Sequence, residues 1–253
     1  MNKSTLVETR FEKYPEAVVL RMNRPNKRNA LREVEMEHMA DRLAALHHDA
    51  GTKVIIITGT ADAFTSGQDV NDINAMDGPP LAALFERDID VLSRIITMPK
   101  IVIAAVNGVS AGFGNHLAVC SDICVVKASA KFYFTGAAKA VPSPMLGTLL
   151  LPMAIGLKRA KGIYLRGAVY TPEQALSDGY CNAVVADAEW DAELEKLAAE
   201  FSSRDAQVMT FNKYVLNQGA IAMIGALKLS GFAAAHLLAG ATAIPTGRVH
   251  KEK

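Results

Sequence analysis

Cysteine, tryptophan and net charge are all scarce in this chain. Its 253 residues include three cysteines and one tryptophan, and 27 basic against 26 acidic side chains leave a formal charge of +1. An odd set of thiols, Cys120, Cys124 and Cys181, is neither a disulfide framework nor a paired zinc pattern. At a spacing of four, Cys120 and Cys124 could share a helix face, but two thiols make a poor zinc site. We expect small buried side chains, no metal, and the reduced thiols of a cytoplasmic protein. The balanced, interspersed charge excludes a nucleic-acid-binding face and a polybasic membrane patch. The opening segment MNKSTLVETRFEK has no apolar stretch of the kind a secretion signal needs. The longest apolar stretch, residues 220–244, carries Lys228 and His236, so it reads as a buried or subunit-contacting helix rather than a membrane span. No repeat or low-complexity linker appears. Between Asp122 and Glu173 there is no Asp or Glu at all.

What the chain has is apolar residues, half of the total, enough for a sizeable core. Residues 17–23 (AVVLRMN) are β-rich and run into the turn RPNKRN. Asn29 is then the expected N-cap of a helix over residues 30–47, with Leu31, Val34, Met39, Leu43 and Leu46 near one face. KVIIITGT (53–60), IVIAAVNG (101–108) and DICVVKASAKF (122–132) are continuous apolar runs of strand length, the pattern of strands buried on both faces. Helical patterns lie at 81–96 and 112–120. In TPEQALSDG (171–179), Thr171, Pro172 and Gln174 form a capping box and Gly179 a stop. NAVVAD is a short late strand, and helices follow from about residue 189. Strands alternating with helices imply mainly parallel pairing. The expected organisation is an α/β core over residues 1–190 and a helical region over 191–253.

Two loops leave their strands alike: GTADAFTSGQDV after the strand at 53–60, and NGVSAGFGNHL after that at 101–107. Each puts glycine where a parallel strand ends and a helix begins, so backbone N–H groups are left unpaired and close approach is allowed. Two such turns side by side aim two N–H groups at one point, as a developing enolate or tetrahedral oxyanion requires. The second loop also spells G-x-S-x-G across Gly108 to Gly112, which raises the alternative of Ser110 as a hydrolase nucleophile.

Taken together, MNRPNKRNAL (22–31), AFTSGQDV (63–70), PKIVIAAVNGVSAGFGNHLAVCSDI (99–123), AKF (130–132) and LRGAVYTPEQALSDGYCNAVV (165–185) resemble the enoyl-CoA hydratase/isomerase (crotonase) superfamily. The resemblance spans nearly the whole chain. It implies a crotonase-like spiral of ββα turns with a helical C-terminal trimerisation region, assembled as a homotrimer or a dimer of trimers. It implies an acyl-CoA thioester as ligand, with coenzyme A entering as part of the substrate and no separate cofactor. By position, the backbone N–H groups of Gln68 and Phe113 would be the oxyanion donors, beside Gly67 and Gly112. Arg28, Ala30 and the segment Thr65, Ser66, Gly67, Gln68, Asp69 and Val70 would line the CoA end, with Asp69 capping the next helix. Ser110 becomes a structural turn residue.

The chain also departs from the superfamily. Hydratases resembling it use two glutamates as acid and base about the alkene. The matching positions here are His116 and Gly136, and a carboxylate carried later in other members falls at Pro144 or its neighbours Ser143 and Met145. Ordinary hydration is therefore disfavoured. His116, in the first turn of a helix whose positive end disfavours imidazolium, is the expected proton carrier, with Ser143 and Tyr133 as positioning groups. Glu86, Asp88 and Asp90, on the helix before the strand at 101–107, could reach the pocket from outside the usual positions, but a solvated helix face is the commoner explanation. Met145, Leu146, Leu149 and Leu150 suit either an acyl pocket or a core helix. The expected activity is stabilisation of a thioester enolate for double-bond isomerisation. The alternatives are decarboxylation, thioester hydrolysis, and binding of acyl-CoA without turnover.

Overall fold

The computed structural model describes residues 4–76, 78–139, 141–143, 145–225 and 227. In chain order the elements are β1 (Val7–Arg10), β2 (Ala17–Met22), α1 (Glu33–His48), β3 (Val54–Gly59), β4 (Ala63–Thr65), α2 (Val70–Asn74), α3 (Gly78–Thr97), β5 (Ile101–Val106), β6 (Val109–Ala111), α4 (Phe113–Cys120), β7 (Ile123–Lys127), β8 (Lys131–Tyr133), α5 (Leu146–Ile155), α6 (Leu157–Arg166), β9 (Val169–Tyr170), α7 (Pro172–Asp178), β10 (Ala183–Val185), α8 (Trp190–Ser203) and α9 (Ala206–Leu216).

The apolar strands form a six-stranded sheet in the order β1-β2-β3-β5-β7-β10, parallel except for the β1–β2 pair. Every residue of β3 and β5 is buried, as continuous runs of Val, Ile and Ala require when both faces are covered. Alternate residues serve opposite faces. Ile55, Ile57, Val102 and Ala104 pack towards α1, α3 and α4, whereas Val54, Ile56, Ile101 and Ile103 pack against Trp190, Leu194 and Leu197 of α8.

The short strands β4, β6, β8 and β9 make a second, four-stranded sheet. β3, β5 and β7 each pass directly into a strand of this sheet before the chain turns into helix. That β-β-α unit, repeated three times, is the spiral. The sequence patterns had placed two of these short strands inside loops and fused the third into a single strand over 122–132. The chain instead turns at Ala128–Ala130, where the Ala130 N–H donates to Lys127 O. A three-residue strand is too short to show a period of its own.

The N-cap expected at Asn29 is replaced by Arg32, whose backbone N–H is held by the Glu35 carboxylate, and the helix starts at Glu33. Asn29 has φ 54° and ties loops together: its amide donates to Thr60 O and Ala63 O, and its Oδ1 accepts from Arg24 N. The capping box at Thr171 and Gln174 and the left-handed Gly179 (φ 82°) are present. Of the helical region expected over 191–253, nothing beyond residue 227 is among the described residues, so His236 and most of the 220–244 stretch lie outside them. Among the described residues no helix is long and apolar enough to cross a membrane.

Candidate active site

The two glycine loops meet back to back. Thr65 Oγ1 donates to Asn29 O and accepts from Gly67 N, while Ser66 N donates to Arg28 O. Leu31 N donates to Gly67 O, and Asp69 N to Leu31 O. Residues 28–31 are thereby clamped along 65–69. In this short parallel bridge alternate N–H groups point in opposite directions, so the Gln68 N–H is turned away from Leu31.

Gly67 has φ 89° and Gly112 φ 52° with ψ −120°, backbone that an L side chain resists. A Cβ on Gly67 would stand 2.9 Å from Ala111 O and 3.1 Å from Phe113 N. Phe113 opens α4, so its N–H has no partner within the helix. Among the described residues, neither the Phe113 nor the Gln68 amide N–H has an acceptor.

Both residues line a cavity of about 1340 Å³ that also receives Arg28, Ala30, Ser66, Asp69, Val70, Gly112, His116 and Ser143. Thr65 departs from expectation: it is fully buried and off the cavity wall, because its hydroxyl is used inside the loop. Gly67 is likewise spent on the contact with Gly112. Asp69 caps α2 through Asn71 N and is paired at 2.6 Å with Arg24, which holds its carboxyl below the usual range against the opposing effect of burial. Ser110 is fully buried and donates to Asn115 Oδ1, leaving it no route to the cavity. Pro144 lies outside the described residues; Gly136, Tyr133 and Met145 line the cavity.

His116 is buried in α4. Its Nε2 lies 2.9 Å from Ser143 Oγ, and Thr148 Oγ1 donates to Ser143 O and stands 3.3 Å from the Tyr164 hydroxyl. The other ring nitrogen, Nδ1, has no partner among the described residues and lies against Gly147, where a Cβ would approach it to 2.6 Å. Burial lowers the imidazole to about 4 and pushes the Tyr164 phenol up to about 12. The histidine is therefore neutral near pH 7; it borders the cavity itself and is hydrogen-bonded there to the Ser143 hydroxyl.

On α3, Glu86 and Asp90 are exposed, but Asp88 is fully buried and lines the cavity. Its Oδ2 accepts from Gln68 Nε2, while Oδ1 has no partner among the described residues. Burial pushes its acid well above the usual carboxylate range, opposed in part by the Arg87 charge. The expected solvated helix face is thus wrong at this position. The signal was in the sequence: Asp88 falls within the apolar stripe Leu81, Leu84, Phe85, Ile89, Leu92, Ile95. Among the described residues no group of three His, Cys, Asp or Glu stands together as a metal site.

The enoyl-CoA hydratase/isomerase family model matches residues 12–226. The chain belongs to that family, and its two-sheet spiral is the crotonase fold. It is 31% identical to a crotonyl-CoA hydratase of Syntrophomonas wolfei over 83% of this chain and 81% of the relative. It is 32% identical to the 1,2-epoxyphenylacetyl-CoA isomerase of Escherichia coli K12, over 79% and 78%. Among solved structures it is similar to an enoyl-CoA hydratase/isomerase from Xanthobacter autotrophicus Py2, with TM-score 0.82 and 25% identity over 92% of this chain and 88% of that one. It shares its fold with an enoyl-CoA hydratase from Mycobacterium avium subsp. paratuberculosis, at TM-score 0.84 and 22% identity over 95% and 92%.

Proposed function

We propose that this chain binds an acyl-CoA thioester with its carbonyl oxygen between the N–H groups of Gln68 and Phe113, and that it shifts the double bond of an enoyl thioester through the enolate. The observation that carries this reading is the contact of the Gly67 and Gly112 loops, which brings two acceptor-free amides to one cavity wall. Removing a proton from the carbon α to a thioester puts negative charge on the carbonyl oxygen. Donors fixed beforehand near that oxygen stabilise it without reorganisation, at about 3 kcal/mol per donor. Arg28, Ala30, Ser66, Asp69 and Val70 border the same cavity and would hold the CoA end.

Isomerisation suits the polar groups available. Hydration needs an acid and a base on the two carbons of the alkene, and position 116 offers a neutral, hydrogen-bonded imidazole, with Gly136 at the second place. A 1,3 proton shift needs only one group that can reach both the α and γ carbons. In this reading His116 is a positioning residue that fixes the Ser143 hydroxyl on the cavity wall. The family's relatives carry both hydratase and isomerase names, so substrate tests decide between them. A homotrimer belongs to the same proposal, supported by the bare apolar face of α9, where Phe211 is 66% and Leu216 82% exposed.

The experiment is to give the purified chain vinylacetyl-CoA and crotonyl-CoA and follow products by NMR. Conversion of vinylacetyl- to crotonyl-CoA is the expected result. Formation of 3-hydroxybutyryl-CoA instead would identify a hydratase. Release of free CoA thiol would identify a thioester hydrolase built on Ser143 and His116, the pair whose 2.9 Å separation makes that the second reading. Binding with no conversion of these or malonyl-type thioesters would identify a binding protein.

A further inference from the structure

Asp88 is an expensive residue for this fold. An isolated carboxyl deep in an apolar helix face costs several kcal/mol unless it is neutralised or paired. Here it has one hydrogen bond, from Gln68 Nε2; its other oxygen, Oδ1, is buried without a partner among the described residues, and the residue borders the cavity. Its neighbours on α3, Leu84, Phe85, Ile89 and Leu92, are all buried and apolar, so a leucine in its place would serve packing better.

The partner that Asp88 does have is informative. Gln68 presents its backbone N–H to the cavity and its side-chain amide to Asp88, so a single residue spans the oxyanion position and the carboxyl. A thioester whose oxygen sits on the Gln68 N–H has its α, β and γ carbons in the cavity that Asp88 also borders.

We propose that Asp88 is the proton carrier of the site, its Oδ1 moving one proton between the α and γ carbons of the enoyl thioester, with the Gln68 side chain as its positioning residue. This rests on the acyl-CoA reading above. In its ionised form Asp88 takes the α proton of a β,γ-enoyl thioester, and the C–H electron pair becomes the enolate π bond. The carboxylic acid then returns that proton to the γ carbon as the double bond moves to the α,β position. The carboxylate is regenerated, and no water, oxidant or cofactor is consumed. Burial, opposed only in part by the Arg87 charge, strengthens the carboxylate as a base towards a carbon acid.

The test combines binding, turnover and label transfer. Asp88→Asn keeps the shape and the bond from Gln68. It is expected to bind butyryl-CoA, a saturated probe that cannot isomerise, within about threefold of the wild type. Its conversion of vinylacetyl-CoA is expected to fall on the order of 10²–10⁴-fold. Gln68→Met retains the backbone N–H and is expected to lower kcat while leaving KM unchanged. In the wild type, vinylacetyl-CoA deuterated at the α carbon should give crotonyl-CoA with part of the label at the γ carbon, a readout that needs no variant. Asp88→Asn turning over within tenfold of the wild type, or product with no label at the γ carbon, overturns the assignment of Asp88 and leaves the oxyanion reading intact. Failure of the wild type to bind butyryl-CoA overturns the acyl-CoA reading, and this assignment with it.

Discussion

The Cα of Gly67 faces Gly112 so closely that a Cβ on Gly112 would stand 3.6 Å from it, whereas a Cβ on Gly67 would strike Ala111 O at 2.9 Å. The two positions therefore differ in what they forbid. Both have positive φ, costing about 1–3 kcal/mol for an L side chain, but only Gly67 adds a steric clash. Gly67→Ala is expected to reduce turnover of a CoA thioester by about 10²-fold or more, and Gly112→Ala by less, since the first forces the amides apart. Steady-state kinetics of the two variants checks the order; a Gly67→Ala enzyme as active as the wild type contradicts it.

His116 gives the fold an acid sensitivity. Its imidazole is lowered by burial from 6.5 to about 4, so between those values the unfolded chain takes up a proton that the native state refuses. The stability from the neutral ring is present above about pH 6.5 and is lost as the pH falls towards 4, to a total of about 3 kcal/mol. His116→Gln should flatten the pH dependence of chemical denaturation across that window. An identical slope in both proteins would show that the ring is protonated in the native state.

Asp88 acts in the opposite sense. Its acid is raised by burial, with the Arg87 charge only partly opposing, so the native state keeps a proton that the unfolded chain gives up. Stability then falls as the pH rises above the ordinary carboxylate value. In the ligand-free protein, Asp88→Asn should gain in Tm over the wild type as the pH goes from about 5 to 8, because an amide has no such proton to lose. A gap that stays constant or shrinks would mean that the carboxylate is already stabilised as an anion.

Much of the site's scaffold was visible in the sequence because it lies in patterns longer than one turn or strand. The buried runs that became β3 and β5, the capping box at Thr171 and the glycines at 67 and 112 are each read from local chemistry. Asn29 was misread because an Asn before an apolar period looks like an N-cap, and only the tertiary fold shows its amide reaching Thr60 and Ala63. Asp88 was ranked too low for a related reason: a charged residue on a helix is usually solvated, and its hydrogen bond depends on Gln68 arriving from a loop 20 residues away in sequence. The His116–Ser143 contact spans 27 residues and depends on how α4 and the segment before α5 pack, which no periodicity encodes.

The anchor of α9 is a buried ammonium. Lys213 Nζ donates to Ile95 O, to Lys100 O and to Asp122 Oδ2, all at 2.7 Å. Burial lowers the lysine and raises the aspartic acid, and their attraction opposes both shifts. Lys213→Met would leave the buried Asp122 charge without its cation and two carbonyls without this donor, at a cost of about 3–5 kcal/mol in denaturant titration. Restoring charge neutrality with Asp122→Asn in the same chain should recover part of that loss. Additive losses in the double variant would show that the two side chains do not act as a pair.

The most direct test of the account is the vibrational frequency of the thioester carbonyl itself. Butyryl-CoA carrying ¹³C at the carbonyl, bound to the wild-type protein, should show an isotope-edited C=O stretch shifted below that of the free thioester, because two amides polarise the bond. The shift should shrink in the Gly67→Ala variant. A bound carbonyl that absorbs at the same frequency as in water would place that oxygen away from Gln68 and Phe113 and contradict the account at its centre.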